Sequence, residues 1–170
     1  YKDSILFYRL GDFYEMFFDD AKVASKELEL TLTGRNCGES ERAPMCGVPF
    51  HSADQYIGRL VAKGYKVVVC EQMEDPAKAK GLVKRDIVRV VTPGTVIDNT
   101  QLVESQNNYL CAVCFVGSSA GIAFVDVSTG EMSASGFDGK DTDERILNEL
   151  GIYQPKEIML NDSPDLHPGI

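Results

Sequence analysis

The sequence predicts an α/β protein built as two successive α/β units. Three observations carry this expectation. Short runs rich in β-branched and aromatic residues alternate with segments whose apolar residues recur at helical spacing. A polar stretch with little periodicity, residues 98–107, separates two such sets. Beyond it the order of elements changes, from mixed strands and helices to three strands in succession.

The elements follow from local chemistry. Residues 5–10 are β-branched, aromatic and apolar and read as a strand, Gly11-Asp12 is a turn signal, and 13–17 resumes an extended run. Asp19 or Asp20 stands where a carboxylate accepts from the free N–H groups of a first helical turn, so a helix is expected over 21–30, with Ala21, Ala24 and Leu28 on one face. Residues 36–41 are polar and glycine-bearing, a loop or hairpin tip. Ser52-Ala53-Asp54-Gln55 reads as a capping box that opens a helix with Tyr56, Ile57, Leu60 and Val61 on one side, ending at Gly64. Strands are expected at 66–71 and 87–91, and a turn at Pro93-Gly94. In the second unit, 109–116, 121–127 and 131–136 read as three strands, 142–150 as a helix and 157–160 as a further strand. The expected division is a first domain over 1–97, a linker over 98–107 and a second domain over 108–170, left incomplete.

Composition narrows the function classes. The chain has 170 residues, 44% of them hydrophobic, enough to bury a core. No apolar run approaches the roughly 20 residues that cross a bilayer, and no basic-then-apolar leader opens the chain, so no membrane partner is expected. The start at Tyr1 and the Pro-bearing end are what a segment of a longer protein would show. Five cysteines, an odd number, point to a reducing cytoplasm and not to a disulfide scaffold. Cys111 and Cys114 lie three apart in a strand-like run and so face opposite sides, which suits buried thiols better than a metal pair. With only His51 and His167, a histidine-rich metal site is not expected.

The net charge of −9 is unevenly spread. Residues 1–100 hold 14 Lys and Arg against 15 Asp and Glu, whereas 101–170 hold 3 against 11. The acidic excess belongs to the second unit. In the first, Lys78, Lys80, Lys84, Arg85 and Arg89 form a local basic cluster suited to phosphate or, equally, to solvent.

The densest feature is residues 7–18, with six aromatics in twelve residues and Glu15 set among them. Phe13 and Glu15 are two apart, so in a strand they point the same way. A flat ring beside a hydrogen-bonding carboxyl is suited to prying at a nucleobase and reading it.

Gly11-Asp12-Phe13-Tyr14-Glu15-Met16-Phe17 resembles the signature of the MutS family of DNA mismatch-recognition proteins. Three more blocks follow in the family's order: Pro44-Met45-Cys46-Gly47-Val48-Pro49-Phe50-His51, Cys70-Glu71-Gln72, and Val88-Arg89-Val90-Val91-Thr92-Pro93-Gly94-Thr95. The resemblance implies a mixed-sheet domain flanked by helices that reaches the DNA minor groove. It also implies a partial ribonuclease-H-like connector domain after it. In the family, the Phe matching Phe13 inserts beside a mispaired base and the Glu matching Glu15 hydrogen-bonds it. Arg35, Met45 and His51 lie in or near family blocks close to the duplex, Arg35 toward phosphate and Met45 toward sugar or base edges. Their plainer alternatives are a surface charge, a core methionine and a loop histidine.

The resemblance further implies a bacterial, cytoplasmic and nucleoid-associated protein whose full length is a homodimeric clamp using ATP and Mg²⁺. A downstream repair partner would be met through the connector. This chain contains no G-x-x-x-x-G-K-[ST], so it is expected to be no enzyme and to hold no cofactor itself. Two other classes compete. Asp12, Glu15, Asp19 and Asp20, or Asp126 and Glu131, are the carboxylates a metal-dependent nuclease would use, although 109–116 offers no carboxylate for such a site. The acidic second unit alternatively suits a protein-interaction module.

Overall fold

The computed structural model describes residues 1–36, 38, 42–74, 81–96 and 107–161. The linker expected at 98–107 lies outside the described residues except for Asn107, as do Cys37, Lys78, Lys80 and His167. The chain divides into two compact units, Tyr1–Thr92 and Pro93–Ile170. Each is α/β with one mixed sheet.

In the first unit, β1 (Ser4–Leu10) and β2 (Phe13–Phe17) form a hairpin closed by Gly11-Asp12. Gly11 takes φ +60, a region that glycine enters without penalty. Helix α1 (Phe18–Leu28) follows β2 directly, then β3 (Thr33–Asn36), β4 (Arg42–Pro49), a 3₁₀ turn (Phe50–Ser52), α2 (Ala53–Ala62), β5 (Lys66–Gln72) and β6 (Arg85–Val91). The sheet order is β3-β4-β2-β1-β5-β6, with β1 and β5 parallel and every other neighbouring pair antiparallel. Helix α1 packs on β2 and β4 and against α2, which packs on β5. The Cys46 thiol donates to the Ala21 carbonyl at 3.5 Å and Arg89 pairs with Asp54 at 2.8 Å, so both helices lie on the same face of the sheet. The core between them is Ile5, Phe7, Tyr14, Met16, Val48, Val67 and Val69 from the strands with Ala24, Leu28, Ile57 and Leu60 from the helices.

Two helix starts differ from expectation. Helix α1 begins at Phe18, and neither Asp19 nor Asp20 caps it. Asp19 pairs with Lys22 at 2.8 Å, while Asp20 accepts the Leu6 N–H at 2.9 Å. The pairing of β1 with β2 ends at Tyr8, so the carboxylate takes the place of the missing strand partner and satisfies the Leu6 N–H. Ser52 precedes α2 without capping it, because its hydroxyl donates back to the Pro49 carbonyl at 3.2 Å inside the 3₁₀ turn. Helix α2 does end as expected, with Gly64 at φ +89.

The second unit begins with a 3₁₀ turn (Pro93–Thr95) and continues through β7 (Tyr109–Val116), β8 (Ser119–Asp126), β9 (Glu131–Asp138), α3 (Thr142–Tyr153) and β10 (Glu157–Leu160). Its sheet runs β10-β7-β8-β9, parallel only between β10 and β7. Alternation buries Tyr109, Cys111 and Val113 of β7 with Ala120, Ile122 and Phe124 of β8 against Ile146 of α3, leaving Cys114 exposed on the opposite side. Burial pushes the Cys46 and Cys111 thiols up to about 11.

Asp126 ends β8 and is 1% exposed. Its carboxylate accepts from the N–H groups of Asn108, Ser128 and Thr129 and from the Ser128 hydroxyl, at 2.9, 2.9, 3.3 and 2.6 Å. Burial alone would raise its pKa; these donors outweigh that, and the carboxyl stays below its ordinary value. Its contribution to stability is therefore present above the unfolded value and lost as pH falls through the depressed folded one. Asp126→Asn is expected to lower stability at pH 7 by about 1–3 kcal/mol. Thermal melts should also lose less stability than the parent does between pH 5 and pH 2, and parallel pH curves would contradict the assignment.

A candidate nucleic-acid interface

Strand β2 is paired on both edges. Phe13 faces Leu10 and Pro49, Tyr14 faces Arg9 and Val48, and Glu15 faces Tyr8 and Gly47. Alternation then sorts its side chains. Tyr14 and Met16 point to the helices and are buried, whereas Phe13, Glu15 and Phe17 point to the face without helices. Phe17, which the aromatic pattern assigns to the core, is only half-buried for this reason, and Met16 takes the core place. Phe13 sits at the start of β2, beside the turn, and is 47% exposed.

The same face carries Arg35 and Met45, the first in register with Ala43 and the second with Phe17. The Arg35 guanidinium donates to the Glu15 carboxylate. Met45 is half-buried, and the Thr33 hydroxyl donates to its carbonyl at 3.1 Å with its sulfur at 3.8 Å. Gly47 adjoins Glu15, and a Cβ there would lie 3.3 Å from the Tyr14 carbonyl oxygen and 3.5 Å from the Glu15 Cγ. Glycine thus leaves Glu15 its room. His51 stands apart from these four, in the 3₁₀ turn, exposed and edge-on to Phe50 at 5.8 Å.

Four residues that the motif reading did not single out hold the turn behind Phe13. Arg9 donates through Nε to the Gly11 carbonyl and through Nη1 to Glu71 at 3.4 Å, with its guanidinium 3.8 Å above the Phe50 ring. The Tyr14 hydroxyl donates to the same Glu71 oxygen at 2.6 Å. Phe50 donates its backbone N–H to the Asp12 carbonyl at 3.0 Å. Both residues of the turn are therefore tied through their carbonyls. Burial, and then the bond to the Glu71 carboxylate, raise the Tyr14 hydroxyl above its ordinary value. Asp12 acts through its backbone, in keeping with a turn role. The sequence signal for this group is that Tyr14, Phe50 and Glu71 sit inside motif blocks.

The basic cluster is less available than its sequence suggests. Arg85 donates to the carbonyls of Arg9 and Val83, both at 2.9 Å, and lies over the Tyr8 ring, while Arg89 pairs with Asp54. Both cations act within the fold. Four of the six carboxylates weighed for metal chemistry are likewise spent on protein partners: Glu15 on Arg35, Asp19 on Lys22, Asp20 on Leu6 and Asp126 on its turn. Among the described residues, no group of three or more His, Cys, Asp or Glu is placed to hold a metal ion. No helix among them is long and apolar enough to cross a membrane.

Truncating the buttress should loosen the turn. Arg9→Ala is expected to cost about 1–3 kcal/mol, because it strips Glu71 of a charged partner, and Tyr14→Phe about 1 kcal/mol. Urea unfolding followed by circular dichroism measures both, and variants as stable as the parent would show that the contacts are incidental.

Residues 1–100 match the family model described as MutS domain I, and residues 108–166 match that of MutS domain II. The DNA mismatch repair protein MutS of Ruminiclostridium cellulolyticum is 62% identical over 162 residues, which are 95% of this chain and 19% of that protein. That of Acetivibrio thermocellus is 59% identical over 161 residues, 95% of this chain and 18% of the relative. That of Clostridioides difficile is 55% identical over 162 residues, 95% and 17%. The chain thus spans under a fifth of the length of these relatives.

Proposed function

The chain belongs to the MutS family, matching its domains I and II, and we propose that it recognises mispaired or unpaired bases in duplex DNA as the first step of mismatch repair. The observation that carries this reading is Phe13. An apolar ring of this size, 47% exposed at a rigidly held turn, is poorly explained by core packing. It is well explained as a wedge. Separating a base step costs a few kcal/mol in an intact duplex and less where pairing is defective, so a ring pressed into the minor groove selects weak steps without a sequence code. The step that opens also bends the DNA, which is cheaper where stacking is already broken.

Glu15 projects beside Phe13 from the same face and supplies the polar contact. Its carboxylate hydrogen-bonds an edge of the displaced base. Met45 lines the same face and offers a soft apolar contact to sugar. His51, in the middle of the 3₁₀ turn whose Phe50 ties Asp12, stands as a flanking contact.

The rest of the family's activity is proposed for the protein of the relatives' length. It would be a homodimeric, ATP- and Mg²⁺-dependent clamp in the bacterial cytoplasm, associated with the nucleoid. Within this chain, 1–97 would be the reading domain, 98–107 a linker and 108–170 part of the connector. The acidic second unit, with 11 Asp and Glu against 3 Lys and Arg from residue 101 onward, suits a downstream repair protein better than a phosphate backbone.

Carried in a protein of the relatives' length, Phe13→Ala is expected to weaken binding to a duplex with one G·T mispair by about tenfold or more, the scale of one lost base–ring stack, while matched duplex is bound as before. Because the ring is half outside, stability should change by about 1 kcal/mol or less. Retained G·T preference in Phe13→Ala would overturn the reading.

A further inference from the structure

Glu15 and Arg35 come from strands that are not neighbours. Strand β4 lies between β2 and β3, yet the Arg35 guanidinium reaches over it to the Glu15 carboxylate. The two ends of the pair are unequally placed, the Glu15 side chain 16% exposed and the Arg35 side chain 46% exposed. The carboxylate is therefore set into the sheet surface between Tyr8 and Gly47, and the cation covers it from outside. As long as the pair stands, the group proposed to read the base is occupied, and so is the cation on that face best placed for phosphate. Arg85 and Arg89, by contrast, are bound into the fold.

We propose that Arg35 and Glu15 exchange partners when the protein meets a defective base pair. On an intact duplex the pair persists, and its members cancel each other's charge. At a mispair the exposed base edge takes the Glu15 carboxylate, and Arg35 turns to a backbone phosphate. The exchange is cheap, because the Arg35 end of the pair is half exposed and the guanidinium finds in phosphate a bidentate acceptor of the same charge. It makes a phosphate contact conditional on finding an unpaired base edge. Arg35 thus becomes a residue that determines specificity, although phosphate itself carries no sequence information. The proposal rests on the mismatch reading above and adds a defined coupling to it.

The coupling shows in salt dependence. Each phosphate neutralised by a side chain steepens the fall of log affinity against log salt by about 0.9 on duplex DNA. With the chain carried in a protein of the relatives' length, Arg35→Gln should make that slope shallower by about 0.9 on a G·T duplex and leave it unchanged on matched duplex. Glu15→Gln, which removes the charge that Arg35 pairs with across β4, should steepen the slope on matched duplex by about the same amount. The double variant should show neither change on matched duplex. An equal loss of slope on both duplexes in Arg35→Gln would mean a permanent phosphate contact, and no loss on either would mean a purely structural pair; each overturns the exchange. The Phe13→Ala arm separates the two levels. If it keeps G·T preference, the mismatch reading fails and the exchange fails with it. If it loses preference while the Arg35→Gln slopes move together, the exchange alone fails.

Discussion

The structure of the first unit depends on β2 being held on both edges. A strand paired on one side slides or frays, and a shift of one residue turns every side chain to the other face. Here β1 and β4 fix the register from both sides, and Tyr14 and Met16 are locked into the helical core. The consequence is that Phe13 and Glu15 have no alternative to the open face. Their placement on that face, and with it the exposure of Phe13, is enforced by the burial of their immediate neighbours.

Rigidity at the turn follows from the same economy of parts. A wedge that yields does no work on a base stack, so the segment bearing it must resist the reaction force. Gly11 and Asp12 are tied through their carbonyls to Arg9 and Phe50, and Arg9 is in turn braced by Glu71 and the Phe50 ring. Tyr14 joins the brace from the buried side of the strand. Within β2 itself, the residues that would touch DNA alternate with residues that anchor the strand in the core.

Much of this was legible before any coordinates. Strands with strong β-branched or aromatic runs, such as β1, β5 and β7, were readable from pattern alone, and the parity of Phe13 and Glu15 followed from the strand period. Strands β3 and β4 were not readable. Arg42–Pro49 contains two prolines and a glycine, which blur any strand pattern, and its strand state comes from pairing with β2 and β3. The caps misled for a related reason: Asp20 and Ser52 have the right chemistry for helix starts, but a nearer tertiary or backbone partner captured each side chain. Arg9, Glu71 and the Arg35–Glu15 contact were illegible because they join residues far apart in sequence, and a periodicity argument carries no information about such distances. For Arg85 and Arg89 the charge count was uninformative, since it cannot tell a cation facing solvent from one spent on a carbonyl or an aspartate.

The central claim is that the ring at position 13 enters the duplex at the defective step. Site-directed photocrosslinking from that position tests it most directly. A benzophenone-bearing residue replacing Phe13, in a protein of the relatives' length, should crosslink to the mispaired nucleotide or its immediate neighbour, and a groove-blocking minor-groove ligand should abolish the product. Crosslinks spread evenly along the duplex, or equal yields on matched and mismatched DNA, would contradict the account.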